Sequence, residues 1–414
     1  MSDEVPEGWE RVTVLDLSIK SRSGGTPIST NEEYYKGTIP FVVIEDITSS
    51  GKYIRDAKKH ITEAAVESCS TWIVPRESIL YTMYATFGEV AINKVEVATN
   101  QAILCIIPNS GKIDTEFFFY VLSWFKQFIS NYTFQTTQSN LNAHIVRDFC
   151  LLIPMSLFEQ RKITSILQGV DNAIDKTKEL IEKHEKIKQG LMHDLFTNGV
   201  DEQGVQYSQT KEHSLFGKMP AHWREGLMRY ICDVSQGLQI AITERKTRPG
   251  RNRYVYITIQ YLNAEDKVKS AEFIENPPKS VICSEEDVLM TRTGNTGQVI
   301  TGYSGVFHNN FFIVKYNKSK AIKKYLVYYL QRPEIRNLMT SLAGLTTIPD
   351  LKHADFLNMP MIYPEDLNEQ ERIAQILGSI ENRIQSEQNY LDKLTKIKKG
   401  LMQDLLTGRV RVAA

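Results

Sequence analysis

Ten consecutive residues, Glu244 to Arg253 (ERKTRPGRNR), carry Arg245, Lys246, Arg248, Arg251 and Arg253 against one acid, and Pro249 and Gly250 break the run. A basic segment broken in this way is a loop, and its chemistry is phosphate binding by side chains that can also reach guanine edges. Other constellations point away from catalysis. The Gly-Lys pairs at Gly51, Gly111 and Gly217 lack the glycine five residues earlier that a phosphate-cradling loop needs. The eight histidines form no His-Glu-x-x-His or close His/Cys cluster, so no metal site is expected. Pro349-Asp350 is followed by no Asp/Glu-x-Lys and reads as a turn. Asn276-Pro277-Pro278-Lys279 has the shape of a loop that holds an exocyclic amine beside a flipped base. Its fourth residue is Lys, which cannot stack, and no glycine-rich strand-to-helix turn for a methyl donor precedes it. It too reads as a turn, and no catalytic residue is assigned.

Candidate contacts occupy two sets of loops. Around the basic loop these are Gln236, Gln239, Arg245, Lys246, Arg248, Arg251, Arg253, Arg292 and Asn295. Nearer the N-terminus, Lys20 to Thr30 (KSRSGGTPIST) is rich in Ser, Thr and Gly, whose hydroxyls and amides also contact phosphates, and the candidates are Lys20, Ser21, Arg22, Ser23, Tyr81, Tyr84 and Gln138. The bland alternative for each is a solvated surface residue.

The two sets belong to two copies of one unit. EQRKITSIL from Glu159 returns as EQERIAQIL from Glu369, and KIKQGLMHDLFTNGV from Lys186 returns as KIKKGLMQDLLTGRV from Lys396, with 18 identities over 42 aligned positions. Weaker matches precede these blocks: Pro6 and Trp9 with Pro220 and Trp223, Leu80/Leu289, Thr82/Thr291, Gly88/Gly297, Val90/Val299, Asn100/Asn309, and TTQSNL with TTIPDL. Arg292 to Asn295 therefore faces Met83 to Thr86, so one loop position carries different polar chemistry in each copy.

The similar blocks have the apolar spacing of helices. Ile163, Ile166, Val170, Ala173, Thr177, Leu180, His184, Ile187 and Leu191 recur at threes and fours; Ile373, Ile376, Ile380, Tyr390, Leu394, Ile397 and Leu401 keep the same phase, interrupted by Arg383 and Glu387. Leu167, Ile174, Ile181, Leu377, Ile384 and Leu391 widen the stripe, which suits a helix that touches its mate and something else. About 30 residues of such a helix span about 45 Å. The divergent blocks are mixed α and β. Strands are expected in Thr38–Ile47, Ser78–Tyr84, Ala102–Pro108, Arg253–Ile259 and Phe311–Tyr316, and helices in Thr115–Ile129 and Lys323–Ile335.

The order of these parts resembles the specificity (S) subunit of type I restriction-modification enzymes. The resemblance covers essentially the whole chain and is carried by Glu-Gln-x-(Arg/Lys)-Ile-x-x-Ile-Leu, Gly-Leu-Met-x-Asp-Leu-(Leu/Phe)-Thr, and Gly24-Gly25-Thr26-Pro27 with Ile39-Pro40 and Asp46-Ile47. The second copy departs from the opening motif, with Ser235-Gln236-Gly237-Leu238-Gln239 in its place. The resemblance implies a non-catalytic DNA reader in which each variable domain recognises half of a split, asymmetric site and the helices hold the halves apart. Its implied partners are double-stranded DNA, two methyltransferase subunits carrying S-adenosylmethionine, and motor-nuclease subunits; no cofactor is expected in this chain.

The expected fold is α+β, with two globular target recognition domains joined by two long helices packed as an antiparallel coiled coil, an internal pseudo-twofold repeat. The expected segments are 1–155 and 218–365 for the domains, 156–198 and 366–408 for the helices, 199–217 for a linker and 409–414 for a tail. A spacer of about 45 Å corresponds to about 13 base pairs. A duplicated coiled-coil adaptor that binds only proteins, and a stand-alone methyltransferase, are the competing classes.

Composition fits this reading. Lys plus Arg equals Asp plus Glu at 49 each, which excludes a globally basic nucleic-acid-coating protein but not a local basic loop. The spacer segment from Glu159 to Val200 itself carries seven basic and seven acidic residues. The acidic start, with Asp3, Glu4 and Glu7, has no apolar core, and no apolar run reaches the ~18 residues of a membrane span. Cys69, Cys105, Cys150, Cys232 and Cys283 are widely spaced and read as reduced thiols, so a cytoplasmic protein is expected.

Overall fold

The structure, a computed structural model, describes residues 5–84, 86–129, 141–344 and 349–412. The fold is α+β, and the chain divides into two compact units, one of residues 1–179 with 388–414, the other of residues 180–387. These boundaries differ from the consecutive segments read from the sequence. The first long helix is Leu157–Asn198 and the second Leu367–Leu405, about 63 Å and 59 Å at 1.5 Å per residue, longer than the 45 Å expected. Each unit contains one domain, the start of one long helix and the end of the other.

In the first unit a five-stranded sheet runs in the order Ser18–Ser23, Ile103–Pro108, Ile79–Thr82, Val90–Asn93, Tyr53–Ile54. A three-stranded sheet places Ile39–Val42 between His60–Ile61 and Ala98–Thr99, and Trp9–Thr13 pairs antiparallel with Cys150–Pro154. The second unit repeats the plan with Cys232–Gln236, Phe311–Tyr316, Val288–Thr291 and Val299–Ile300 in one sheet. Phe273–Glu275, Arg253–Ile257, Gly305–Phe307 and Ile282–Cys283 form another, and Arg224–Leu227 pairs with Pro360–Tyr363.

Helix Thr115–Phe125 packs Phe117, Phe118, Val121 and Leu122 into a core that also takes Ile163 and Leu167 from the first long helix, Leu405 from the end of the second and Leu406 just beyond it. In the second unit Tyr325, Leu326 and Tyr329 of helix Lys323–Gln331 meet Leu195 and Phe196 of the first long helix and Ile373 and Leu377 of the second. The start of one helix and the end of the other thus close each core, which requires antiparallel packing.

The Glu-Gln of the repeated motif explains how each helix start is fixed. Gln160 Nε2 donates to the carbonyls of Lys112 and Pro154, both at 3.0 Å, and its Oε1 accepts the Asp114 N–H at 2.7 Å. Gln370 makes the same three bonds to Lys320, Pro364 and Ile322, each at 2.9 Å. The preceding acids hold the incoming chain end. Glu159 accepts Arg411 Nε and Nη2 at 2.7 and 2.9 Å, while Glu369 accepts Trp223 Nε1 at 2.9 Å and Val200 N at 3.2 Å, with His222 Nε2 at 2.8 Å. All four residues of the two Glu-Gln pairs are buried, so every lone pair left unbonded would carry a desolvation cost.

Several expectations are corrected. Thr38–Ile47 is not one strand: the buried Asp46 accepts the N–H groups of Val43 at 2.9 Å and Lys58 at 3.2 Å, which starts a helix at Ile44–Ser50. Arg253–Ile259 ends as a strand at Ile257, since Thr258 caps helix Ile259–Asn263. Lys323–Ile335 breaks at Arg332, because Pro333 opens a new helix, Pro333–Ala343. The expected linker 199–217 holds buried Val200, and its end folds as a hairpin of Thr210–His213 with Gly217–Pro220. The expected tail is docked through Arg411. In the helix seam Ile163, Thr177, Ile373, Ile380 and Leu394 are buried as expected, but Ile166, Leu180, Ile187, Tyr390 and Ile397 are exposed, while Leu167, Ile174 and Leu377 beside the seam are buried. A straight helix drifts about 20° per heptad, so the packed face turns toward the domain. Among the described residues no helix is long and apolar enough to cross a membrane.

Candidate nucleic-acid interface

Both units build one scaffold for their polar loops. In the second, strand Cys232–Gln236 ends at Gly237, where a Cβ would strike the carbonyls of Phe307 and His308. In the first, strand Ser18–Ser23 ends at Gly24, where a Cβ would strike Thr99. Ladder register aligns the two glycines: Ser23 lies opposite Leu104 and Gln236 opposite Phe312, each one residue before its glycine.

A second loop lies beside each. Thr82 Oγ1 donates to the Thr86 carbonyl and accepts the Glu89 N–H, and Gly88 follows at φ 76°. Thr291 repeats this with Asn295, Gln298 and Gly297 at φ 80°. The matched Thr and Gly pairs are therefore turn residues. The turns are tied to the neighbouring strand connection by equivalent bonds, Met83 N–H to the Ala102 carbonyl at 2.8 Å and Arg292 N–H to the Asn310 carbonyl at 2.7 Å.

In the second unit Gln236 is exposed at its strand end. Gln239 is exposed and accepts Asn309 Nδ2 at 2.8 Å, which joins it to the same strand connection that holds Arg292. Asn295 is exposed on the turn and reaches Gln298 at 3.3 Å. Arg248 and Arg251 are exposed, and Arg251 occupies a turn closed by the Arg253 N–H to the Gly250 carbonyl. Lys246 is half-buried, its backbone paired in both directions with Phe273.

Three arginines are already committed. Arg245 pairs with Glu272 at 2.8 Å and lies 5.1 Å from the Tyr256 ring centre, and Arg253 pairs with Glu275 at 3.1 Å. Arg292 holds Asp350 through two bonds, at 2.6 and 2.9 Å. That hydrogen-bonded pair raises the guanidinium further above its ordinary value and keeps the Asp350 carboxyl below its own. These three serve the loop frame first, so Arg248 and Arg251 are the stronger candidates for phosphate. Asn276 to Lys279 is a turn, with Asn276 at φ 48° leading into Lys279–Val281.

In the first unit Lys20 is exposed with Nζ 4.4 Å over the Trp72 ring. Arg22 is exposed and donates to the Ser70 carbonyl at 2.9 Å; Ser23 is half-buried beside Gly24. Ser21 accepts Arg147 at its hydroxyl and carbonyl, at 2.9 and 2.6 Å, which makes it a strand anchor. Tyr84 is exposed on the turn. Tyr81 is corrected: it is fully buried, packs edge-on against Phe149, and its hydroxyl has no hydrogen-bond partner, so it cannot reach DNA. Gln138 lies outside the described residues.

Residues passed over in the sequence complete the surface. Thr26 Oγ1 donates to Gln101 Oε1 at 2.5 Å, which places both on the loop frame of the first unit as Gln239 and Asn309 are in the second. The Asn100/Asn309 match was the available signal, displaced by one residue from the structural equivalence of Gln101 and Asn309. The thiols offer no chemistry there: burial pushes Cys105 and Cys232 up to about 12 and Cys283 to about 11, and all five cysteines are unpaired. Among the described residues no group of His, Cys, Asp and Glu could hold a metal ion.

Two strand-end loops and two Thr-Gly turns on duplicated frames correspond to one known domain. Residues 6–186 and 231–396 match the type I restriction modification DNA specificity domain. The chain belongs to that family. The domain occurs twice in this chain. The chain is similar to a type I restriction enzyme MjaIX specificity subunit of Methanocaldococcus jannaschii, 24% identical over 420 residues that cover 99% of this chain and 95% of that one. The fold is shared with the S subunit of a type I restriction-modification system from M. genitalium, at TM-score 0.58 and 15% identity over 98% of this chain and 97% of that one. It is also shared with a chain from a structural study of type I R-M complex assembly and conformational transition, at TM-score 0.61 and 15% identity over 98% and 100%.

Proposed function

We propose that this chain is the non-catalytic DNA-recognition subunit of a type I restriction-modification complex, with each unit reading one half of a split, asymmetric duplex site. The observation that carries this is the pair of matching loop frames with unlike side chains. Thr26, Gln101 and Thr86 stand in one unit where Gln239, Asn309 and Asn295 stand in the other, and different polar groups on one frame read different base edges. Arg248, Arg251, Lys20 and Arg22 supply the phosphate contacts.

The long helices set the spacing and dock two methyltransferase subunits. Leu180 and Ile187 in the second unit are 43% and 40% exposed, and their repeat partners Tyr390 and Ile397 in the first are 50% and 51% exposed. Duplicated apolar side chains on otherwise charged helices are what two copies of one partner would cover. S-adenosylmethionine would be bound by those partners and not by this chain, motor-nuclease subunits would join the same assembly, and the complex would act in the cytoplasm.

Co-expression with methyltransferase subunits, followed by mapping of methylated adenines, tests the reading. A split site with a constant spacer is expected. Assembly without sequence preference would instead indicate a protein-binding adaptor, and methyl transfer by the chain alone would refute the non-catalytic role.

A further inference from the structure

Each unit ties its domain helix to both long helices through one carboxylate. In the first, the Tyr120 hydroxyl donates to Asp171 Oδ2 on the first long helix at 2.7 Å, and Lys398 of the second long helix meets Oδ1 at 2.6 Å. In the second, the Tyr328 hydroxyl donates to Glu381 Oε2 on the second long helix at 2.7 Å, and Lys188 of the first meets Oε1 at 2.8 Å. The acids and lysines correspond at the repeat offset of 210 and the tyrosines at 208. The two long helices have exchanged roles, one supplying the acid where the other supplies the lysine. The same bonds recur although the acid is Asp in one unit and Glu in the other.

The Gln160 and Gln370 bonds anchor each domain at one point, the start of its long helix. Farther along the helices the contacts are largely apolar, and hydrophobic burial, being non-directional, does not fix the angle about that anchor. A charge-assisted hydrogen bond is directional, and a carboxylate that uses one oxygen for the domain and the other for the second helix registers three elements together. Burial first, then the bonded carboxylate, raises both tyrosines above their ordinary value, so the hydroxyls remain donors at neutral pH. In the first unit the knot extends to Lys52, which donates to the Tyr120 hydroxyl at 3.3 Å and pairs with Glu116 at 2.5 Å.

We propose that Tyr120 and Tyr328 are positioning residues for DNA reading, each holding its recognition domain at one angle to the helix pair and so setting how strictly the spacing between half-sites is measured. The proposal rests on the bipartite reading above. Neither tyrosine touches DNA in this account; each acts through the carboxylate it binds.

The test uses the assembly with methyltransferase subunits carrying Tyr120→Phe, Tyr328→Phe or both. Binding is measured on duplexes with the mapped site, with its spacer lengthened or shortened by one base pair, and with one half-site alone. The expected result is half-site affinity within about twofold of the unsubstituted assembly and a loss of about tenfold in discrimination against altered spacers for each tyrosine, the size of one lost hydrogen bond to a charged group. Asp171→Asn, which keeps an acceptor for Tyr120, is expected to retain more of the discrimination than Tyr120→Phe. If Tyr120→Phe does not assemble, Lys398→Gln enters the same comparison, with reduced discrimination as the supporting result. Unchanged discrimination in the variants, or a proportional loss of half-site affinity that marks a folding defect, overturns the proposal. An unsubstituted assembly that ignores spacer length overturns the bipartite reading as well, which separates the two failures.

Discussion

Arg251 and Arg292 looked alike in the sequence, and their surroundings divide them. Arg251 is exposed at a turn, so Arg251→Ala is expected to weaken binding of the second half-site and to lower the slope of log affinity against log salt by about one, as read from titrations at several ionic strengths. Arg292 is held by Asp350, and the sign of its pH dependence follows from that bond. A carboxyl lowered in the folded state binds its proton first in the unfolded chain. The stability it contributes is present above the ordinary value of 3.8 and is lost as pH falls through the lowered value. Asp350→Asn should therefore flatten the acid limb of an unfolding-free-energy profile below about pH 4, with little change in that limb's shape above it. Tyr81 gives a contrary expectation. Its buried hydroxyl has no partner, so Tyr81→Phe should leave DNA affinity unchanged and alter stability by no more than about 1 kcal/mol, toward stabilisation, in denaturant unfolding. The polar and basic residue types of the candidate loops were legible in the sequence. Their commitments were not, because Glu272, Glu275 and Asp350 lie 22 to 58 residues from the arginines they hold.

Elements with one strong local signal were legible, and those decided by a distant partner were not. The apolar runs at Ile79–Thr82, Ile103–Pro108 and Phe311–Tyr316 form strands, and Thr115–Phe125 forms the helix its spacing demands. Ile44–Ser50 was misread because Ile44 and Ile47 suit either structure, and the Asp46 carboxylate that caps the turn decides it. The hairpin at residues 210–220 is polar enough to pass for a linker, yet it buries Met219 and Phe216. Helix ends show the same dependence. The first long helix is followed by Gly199 at φ 67°, where a Cβ would meet Glu369, Pro220 and Trp223. Gly199→Ala combines backbone strain with displacement of a buried carboxylate, so a loss of at least about 1 kcal/mol is expected in thermal or denaturant unfolding. A loss of only a few tenths would show that the contact relaxes.

At the scale of the whole chain, the repeat revealed two readers and two helices but assigned each helix to the domain before it. The physical division is different because a helix that closes a core at each end belongs to both units. Leu405, last in the second long helix, and Leu406 just after it are buried with Phe117, Phe125 and Ile153 of the first domain, and Arg411 reaches Glu159 and the Glu7 carbonyl. The chain's two ends are therefore structural partners although more than 390 residues separate them. Removal of residues 405–414 takes away two core leucines and the bidentate partner of a buried carboxylate. Leu405→Ala alone should cost about 2–5 kcal/mol. The truncated chain should expose the first unit to limited proteolysis and speed its amide exchange, while the second unit, which draws no residue from this segment, keeps its protection. Equal loss of protection in both units would mean that they unfold as one, and unchanged protection in the first would mean that its core closes without the second helix.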